Sequence, residues 1–426
     1  MPSEETIAAE RNASPAPPAT PLGERALALA RVLARPAHRT GVTWALCAPM
    51  LALIVLCFVL PCLAVLHTGV SSPVIGEEWP AFVEALREDP EVVPGEPVFE
   101  ALARALREPQ GSGRYLRTMK SFGQQDAEIW RMFQEMADTP VPEGFTSAKT
   151  WFVGVDAEWS EPETWLVIRR LAAPYTLHFL VSAFDLNLEP NGTFELVPPE
   201  RRFYGRAIAQ TLTLALWVTL VTLLLGCPLA YRLTTMSARR ARLALQLLLL
   251  LLWTSVLVKT YAAMVIFDRQ GIVNSLLIGV GWIDEPLAMM PSRAVVIATM
   301  SYALLPFMVV PLYYRMRSVP IQYLRAAVSL GAPPLRAVVT AYGRTMLPGV
   351  AVGCLLVFLL AIGNYPVPAL TASAQGMTIS MLIADFVTKI ANDGMAAAMG
   401  TIVLVICVAL CALYVRAFGP QRSGAL

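Results

Sequence analysis

Hydrophobic and polar positions alternate along this chain on the scale of whole segments. Six apolar runs stand out: Thr43–Leu66, Ala207–Tyr231, Leu243–Phe267, Ala294–Tyr314, Thr345–Leu370 and Met395–Val415. At about 1.5 Å of rise per residue each run is long enough to cross a bilayer as a helix. The first two are separated by a polar stretch, 68–204, in which shorter amphipathic patterns predict helices at Trp79–Arg87, Phe99–Arg107 and Asp126–Met136. Thr164–Phe184 predicts a longer helix interrupted at Pro174, too short on its apolar side to be a span. Trp130, Phe133 and Met136, at i, i+3 and i+6, predict a core stripe on one of these helices. The pattern therefore divides the chain into a disordered tail over 1–40, a first transmembrane helix over 41–67, an insert over 68–204, a five-helix core over 205–418 and a short tail over 419–426.

Composition agrees with this picture. The chain is 56% hydrophobic and 15% charged, which a soluble domain does not sustain, and its net charge of +2 gives no footprint for nucleic acid. The seven cysteines all fall inside apolar runs and read as small hydrophobes. His38, His67 and His178 are scattered, so no metal site or cofactor is expected. The phosphate-cradling pattern GxxxxGK[ST] is absent, so any ATP must be hydrolysed by another subunit. The insert carries 22 Asp and Glu against 12 Lys and Arg. Its paired acids, Glu77 with Glu78 and Asp156 with Glu158, read as solvated surface.

Basic residues orient the spans. Arg25, Arg31, Arg35 and Arg39 precede the first, Arg232, Arg239, Arg240 and Arg242 lie between the second and third, and Arg315, Arg317, Arg325, Arg336 and Arg344 follow the fourth. With six spans these segments and the C-terminus share one side, which the positive-inside rule makes cytoplasmic. The acidic insert then faces outward.

The loop over 318–344 has its own architecture. Ser318 can cap a helix with Pro320 in its first turn, and Ile321, Leu324 and Val328 fall on one face, with Gln322, Arg325 and Ser329 off it. Gly331 can end that helix in the left-handed region, Pro333-Pro334 forbids its continuation, and a second helix can restart at Leu335. Arg325-Ala326-Ala327, then Gly331-Ala332, then Leu347-Pro348-Gly349 resembles the "EAA" loop of ABC-importer permeases. The usual Glu of that loop is Arg325 here, and its usual mid-loop Leu-Pro falls on Gly343-Arg344. Four further stretches are similar to the spermidine/putrescine (polyamine) branch: Gly226–Tyr231; Trp253–Ala262 with Gly271–Leu276; Tyr302–Met308 with Pro311 and Tyr313; and Gly353–Phe358 running into Gly363–Ala369. The resemblance covers roughly 200–415 and the first span. It does not cover the insert, and Ala372-Ser373 stands where the family tends to have a Gly-Gly pair.

The resemblance implies an all-α membrane protein of the type I permease fold, with six transmembrane helices and a large, mostly helical periplasmic insert between the first two. It implies a bacterial inner-membrane permease subunit with both termini cytoplasmic, itself no enzyme. Its partners would be a second permease forming a heterodimer, two ATP-binding subunits and a periplasmic solute-binding protein. Docking would fall on Tyr323, Leu324, Arg325, Ala326, Ala327, Gly331, Ala332, Leu335 and Arg336. Candidate pathway residues are Trp253, Lys259, Tyr261, Asn274, Tyr302, Pro306, Asn364, Tyr365 and Pro368. Pro228, Pro306, Pro311, Pro366 and Pro368 mark expected bends, and Gly226, Gly353 and Gly363 expected close helix contacts. Lys259 is the one charge inside a span, placed where it can snorkel to the outer interface or form a structural pair. Asp385 and Lys389 are spaced for a surface salt bridge. The solute expected is a polyamine; an opine, amino acid or phosphonate would suit the same machinery. A membrane-anchored enzyme or sensor acting through the acidic insert is the alternative of another class.

Overall fold

A computed structural model describes residues 36–107, 112–139, 147–188, 193–200, 202–319, 322–333, 336, 343–372 and 376–418. It is built almost wholly of helices. The first unit, which ends at Ala64, contains α1 (Pro36–Ile54) and a five-residue π-turn, Val55–Val59. The helix resumes as α2 (Leu60–Thr68). Of the expected disordered tail over 1–40, residues 36–40 are helical in α1, while 1–35 and the last eight residues, 419–426, lie outside the described residues.

The insert is a bundle of short amphipathic helices: α3 (Val74–Glu78), α4 (Pro80–Glu88), α5 (Glu96–Leu106), α6 (Gly113–Gln125), α7 (Ala127–Asp138), α8 (Ala148–Val155), α9 (Pro162–Ala172) and α10 (His178–Ser182). Ser112, Asp126 and Ser147 cap α6, α7 and α8 through their side-chain oxygens. The core is aromatic. Phe122 stacks on Phe133 at 4.3 Å, Phe133 meets Trp159 edge-on at 5.4 Å, and Phe99 meets Trp165 at 5.0 Å. The stripe on α7 differs from the expected one. Ile129, Met132, Phe133 and Met136 are buried, at i, i+3, i+4 and i+7, whereas Trp130 sits one position round and is 43% exposed. Its ring lies across Gly123, where a Cβ would be 3.1 Å from Trp130 Cδ1.

Of the paired acids Glu77 is exposed, as expected, while the other three are held by arginines. Glu78 accepts from Arg117 Nε at 2.6 Å and pairs with Arg114 at 3.3 Å, and Arg131 bridges Asp156 (3.5 Å) and Glu158 (3.0 Å). A hairpin the sequence pattern did not reveal, β1 (Leu186–Leu188) with β2 (Phe194–Leu196), closes the insert. Just before it Asp185, buried and left-handed at φ +56°, accepts from the backbone N–H groups of Phe203, Tyr204 and Gly205. A carboxylate from the insert thus caps the first helix of the core.

That helix is α11 (Tyr204–Thr235), followed by α12 (Ala238–Trp253), α13 (Val256–Phe267), α14 (Ile272–Gly279), α15 (Arg293–Ser318), α16 (Gln322–Ser329), α17 (Arg344–Ile362), α18 (Pro366–Thr371), α19 (Ile379–Asp385) and α20 (Asp393–Phe418). Among the described residues five helices are long and apolar enough to span, six if the bent pair α12 with α13–α14 counts as one. That pair corrects the expected straight third span. It bends by 96° at Thr254-Ser255, where Ser255 is extended and Thr254 Oγ1 turns back to Leu250 O at 3.2 Å. The fifth span also ends early, at Ile362. Pro366 has no N–H to continue the ladder, and Asn364 Oδ1 accepts from Val367 N at 3.2 Å, starting α18 instead.

Around α15 the core packs tightly. A Cβ on Gly226 would sit 2.9 Å from Met308 Cγ, and one on Gly353 2.8 Å from Met308 Sδ, so both glycines admit the close approach expected of them. Gly363 makes no such contact; its nearest neighbour is Leu359 O at 3.8 Å. α11 and α15 run unbroken through Pro228, Pro306 and Pro311, so the breaks fall at other residues than those prolines.

Candidate functional site

Two features of the core carry chemistry: an exposed elbow and a cavity. The elbow follows α15. Ser318 does not start its helix but ends α15, its hydroxyl donating to Arg315 O at 2.8 Å, and α16 begins at Gln322. Gly331 takes φ +86°, Gly331 N donates to Val328 O (2.9 Å), and Ala332 N reaches back to Ala327 O (3.1 Å). This is the left-handed helix end expected at Gly331. Arg325 and Ala326 are exposed and Ala327 half-buried, while Leu330 is 88% exposed at the tip. Arg336 is helical and exposed. Leu335 lies outside the described residues, as do the side chains of Tyr323 and Leu324. The elbow's base is held by Arg315, whose Nε donates to Thr345 O at 2.9 Å and whose Cβ lies where a side chain on Gly349 would be.

The cavity has a volume of about 320 Å³ and is lined by Gln210, Leu214, Arg293, Val296, Pro368 and Thr378, with Ala372 and Gly376 at its edge. Its wall is fixed where Thr211 Oγ1 accepts from Ile379 N at 2.9 Å, tying α19 to α11. Of the candidate pathway residues only Pro368 lines it. Trp253 is 90% and Tyr261 67% exposed, beside the 96° bend and away from the cavity. Asn274 is a structural staple: its amide donates to Asp268 O, Arg269 O and Leu287 O, and accepts from Leu287 N at 3.0 Å. Tyr302 donates to Lys259 O at 2.7 Å and so ties α15 to α13 just past the bend. Pro306 is buried within α15, Asn364 caps α18, and Tyr365 is exposed.

Lys259 does not snorkel freely. Its side chain is only 6% exposed, and among the described residues no carboxylate lies within ion-pair distance of it. Asp385 and Lys389 form the expected exposed pair at 2.7 Å. Sequence reading missed Gln210, Arg293 and Thr378. The available signal was weak: an amide inside an apolar run and a basic residue at the head of a span. No three His, Cys, Asp or Glu side chains gather as metal ligands among the described residues.

No family model matches the chain. It is 34% identical over 180 residues to the spermidine/putrescine transport system permease protein PotB of Escherichia coli, across 42% of this chain and 66% of that protein. The PotB protein of Haemophilus influenzae is 31% identical over 180 residues, 63% of its length. Over this stretch the chain is similar to ABC transporter permeases. The inner membrane ABC transporter permease protein YdcU of Escherichia coli is also similar to it, 29% identical over 226 residues and 71% of its length. The chain covers just under two thirds of the PotB proteins, 66% and 63%. Among solved structures, a bacterial alginate ABC transporter in complex with alginate pentasaccharide-bound periplasmic protein has a chain 17% identical at a TM-score of 0.42, covering 52% of this chain and 81% of that chain.

Proposed function

We propose that this chain is the membrane-spanning subunit of an ATP-driven importer that moves a small solute, a polyamine, from periplasm to cytoplasm. The 34% identity to proteins named as spermidine/putrescine permeases carries the reading. Both termini and the α16 elbow are cytoplasmic, and the insert faces the periplasm, a reading that the distribution of arginines supports. The elbow docks on one of two ATP-binding subunits, a second permease completes the pathway, and a periplasmic solute-binding protein delivers the solute. ATP-driven closure of the ATPase pair pulls the elbows together and shifts the spans between two packings. This subunit performs no covalent chemistry.

The first test is purification of the tagged protein in mild detergent with its bound subunits identified by mass spectrometry. A P-loop ATPase and a second permease are expected with it. Gly331→Pro should remove the ATPase while leaving membrane insertion intact, because proline cannot take φ +86°. Recovery of the protein alone would sink the proposal. Uptake of labelled putrescine by proteoliposomes of the full assembly then tests the solute. A second reading, a solute bearing a carboxylate or phosphonate, is favoured by one observation: among the described residues the cavity is lined by Arg293 and by no carboxylate. Competition by an amino acid or opine, with putrescine inert, would select it.

A further inference from the structure

Among its described residues the elbow presents a cation, Arg325, that has no partner. Between Glu285 and Asp385 the chain contains no Asp or Glu, yet within that stretch lie Arg293, Arg315, Arg317, Arg325, Arg336 and Arg344. Two arginines beside the elbow are used internally. Arg315 holds Thr345 O, and Arg317 donates to Tyr313 OH at 2.8 Å while lying over the Tyr313 ring. Arg325 is different. It is exposed, and its guanidinium makes no ion pair or hydrogen bond among the described residues. Its own carbonyl is engaged by Ser329 Oγ at 3.0 Å, so the helix that presents it is closed upon itself.

Arg325 flanks the face that carries Val328, one helical turn on, and Val328 is itself exposed. Beyond them Leu330 projects from the turn at Gly331, almost fully exposed. An apolar knob with a cation on its flank is complementary to an apolar socket with an anion on its rim. The chain itself offers no carboxylate within this acid-free stretch to fill that role.

We propose that α16 and its Gly331 turn dock in a groove of the ATP-binding subunit whose apolar floor takes Leu330 and Val328 and whose rim presents a carboxylate to Arg325. This rests on the importer reading and goes further, because it specifies the charge the ATPase groove must carry. A groove presenting a cation at that point would repel this elbow, so the pairing also selects which ATPase the permease accepts.

The full complex tests this through Arg325→Lys, which keeps the charge and supplies an amine that carbodiimide can couple to a neighbouring carboxylate. The expected product is an amide link between position 325 and an Asp or Glu of the ATPase, located by mass spectrometry. Arg325→Glu should lower ATPase recovery roughly tenfold or more through like-charge contact, with reversal of the linked acid to Lys restoring it. Leu330→Ala should weaken recovery independently of salt. If the ATPase co-purifies with Arg325→Lys but no link to it forms, the charge assignment is overturned. If Arg325→Glu leaves ATPase recovery unchanged and instead loses phosphatidylglycerol bound in nanodiscs, the cation belongs to the membrane and the proposal falls. Failure of the unaltered protein to recover any ATPase would instead remove the importer reading itself.

Discussion

Met308 of α15 is held between two glycines, Gly226 on α11 and Gly353 on α17. At both positions a side chain would have to occupy space that Met308 fills, and at Gly353 Leu312 Cδ1 is also only 3.0 Å away. Gly353→Leu should therefore cost about 1–3 kcal/mol by overpacking, seen as a lower Tm in detergent. Gly363→Ala should cost little, since its nearest neighbour is 3.8 Å away. Equal losses at the two sites would refute the packing account. Gly226 and Gly353 were legible in the sequence because a glycine inside an apolar run has few other uses. Gly363 reads the same way and is only a helix terminator. The difference lies in the neighbouring helix, which a single sequence does not display. Lys259 was legible as an anomaly, but its cover by side chains remote in the chain was not.

At the scale of elements, α10 joins the insert to the core. Its Phe179 ring packs against Gly394 at the head of α20, and His178, beside it, is buried enough to lower its pKa. Burial is the main cause, the positive charge of Arg170 adds to it, and Asp126 opposes both. A histidine with a folded pKa below its ordinary value stays neutral in the native state while the unfolded chain takes up the proton first. Stability from this site is therefore complete above about pH 6.5 and falls as pH drops from there toward the folded value. Thermal melts should show Tm decreasing between pH 7.5 and 5.5, and His178→Phe should flatten that part of the dependence. An unchanged slope in the variant would acquit His178. The helices of the insert were largely legible, since Trp79–Arg87, Phe99–Arg107 and Asp126–Met136 lie within a few residues of α4, α5 and α7. The 96° bend between α12 and α13 was not, because a continuous apolar run looks alike whether straight or folded back. It falls at two hydroxyl residues, Thr254 and Ser255, a type that elsewhere in this core sits inside an unbroken helix, as Thr219 and Thr222 do.

At the scale of the whole molecule, the insert keeps a core of its own within the unit that runs from Val65 to Leu426. Its core, from Ile75 to Ala172, is closed around Phe99, Phe122, Phe133, Phe152, Trp159 and Trp165, all essentially inaccessible to solvent. Its two ends are pinned side by side: Ser72 N donates to Pro174 O at 3.0 Å, Thr176 N donates to Val70 O at 2.8 Å, and Gln125 Nε2 donates to Ser72 Oγ at 3.0 Å. Arg169 gathers the carbonyls of Asp89 (2.9 Å) and Glu91 (2.7 Å), fixing the turn between α4 and α5 from within. We propose that this core, closed on itself with adjoining ends, folds without the spans. Residues 69–178 expressed alone should therefore be soluble, helical by circular dichroism and cooperative in thermal unfolding. Trp159→Ala should lower its stability by about 3–5 kcal/mol, as expected for a fully enclosed aromatic that touches Phe133, Phe152 and Trp165. A soluble but non-cooperative product would mean that the contacts at Phe179 and Gln124, which reach Gly394 and Ala391 of the core, are required for the fold. A cooperative one means that those same contacts join a ready-folded insert to the core and are not needed for its fold.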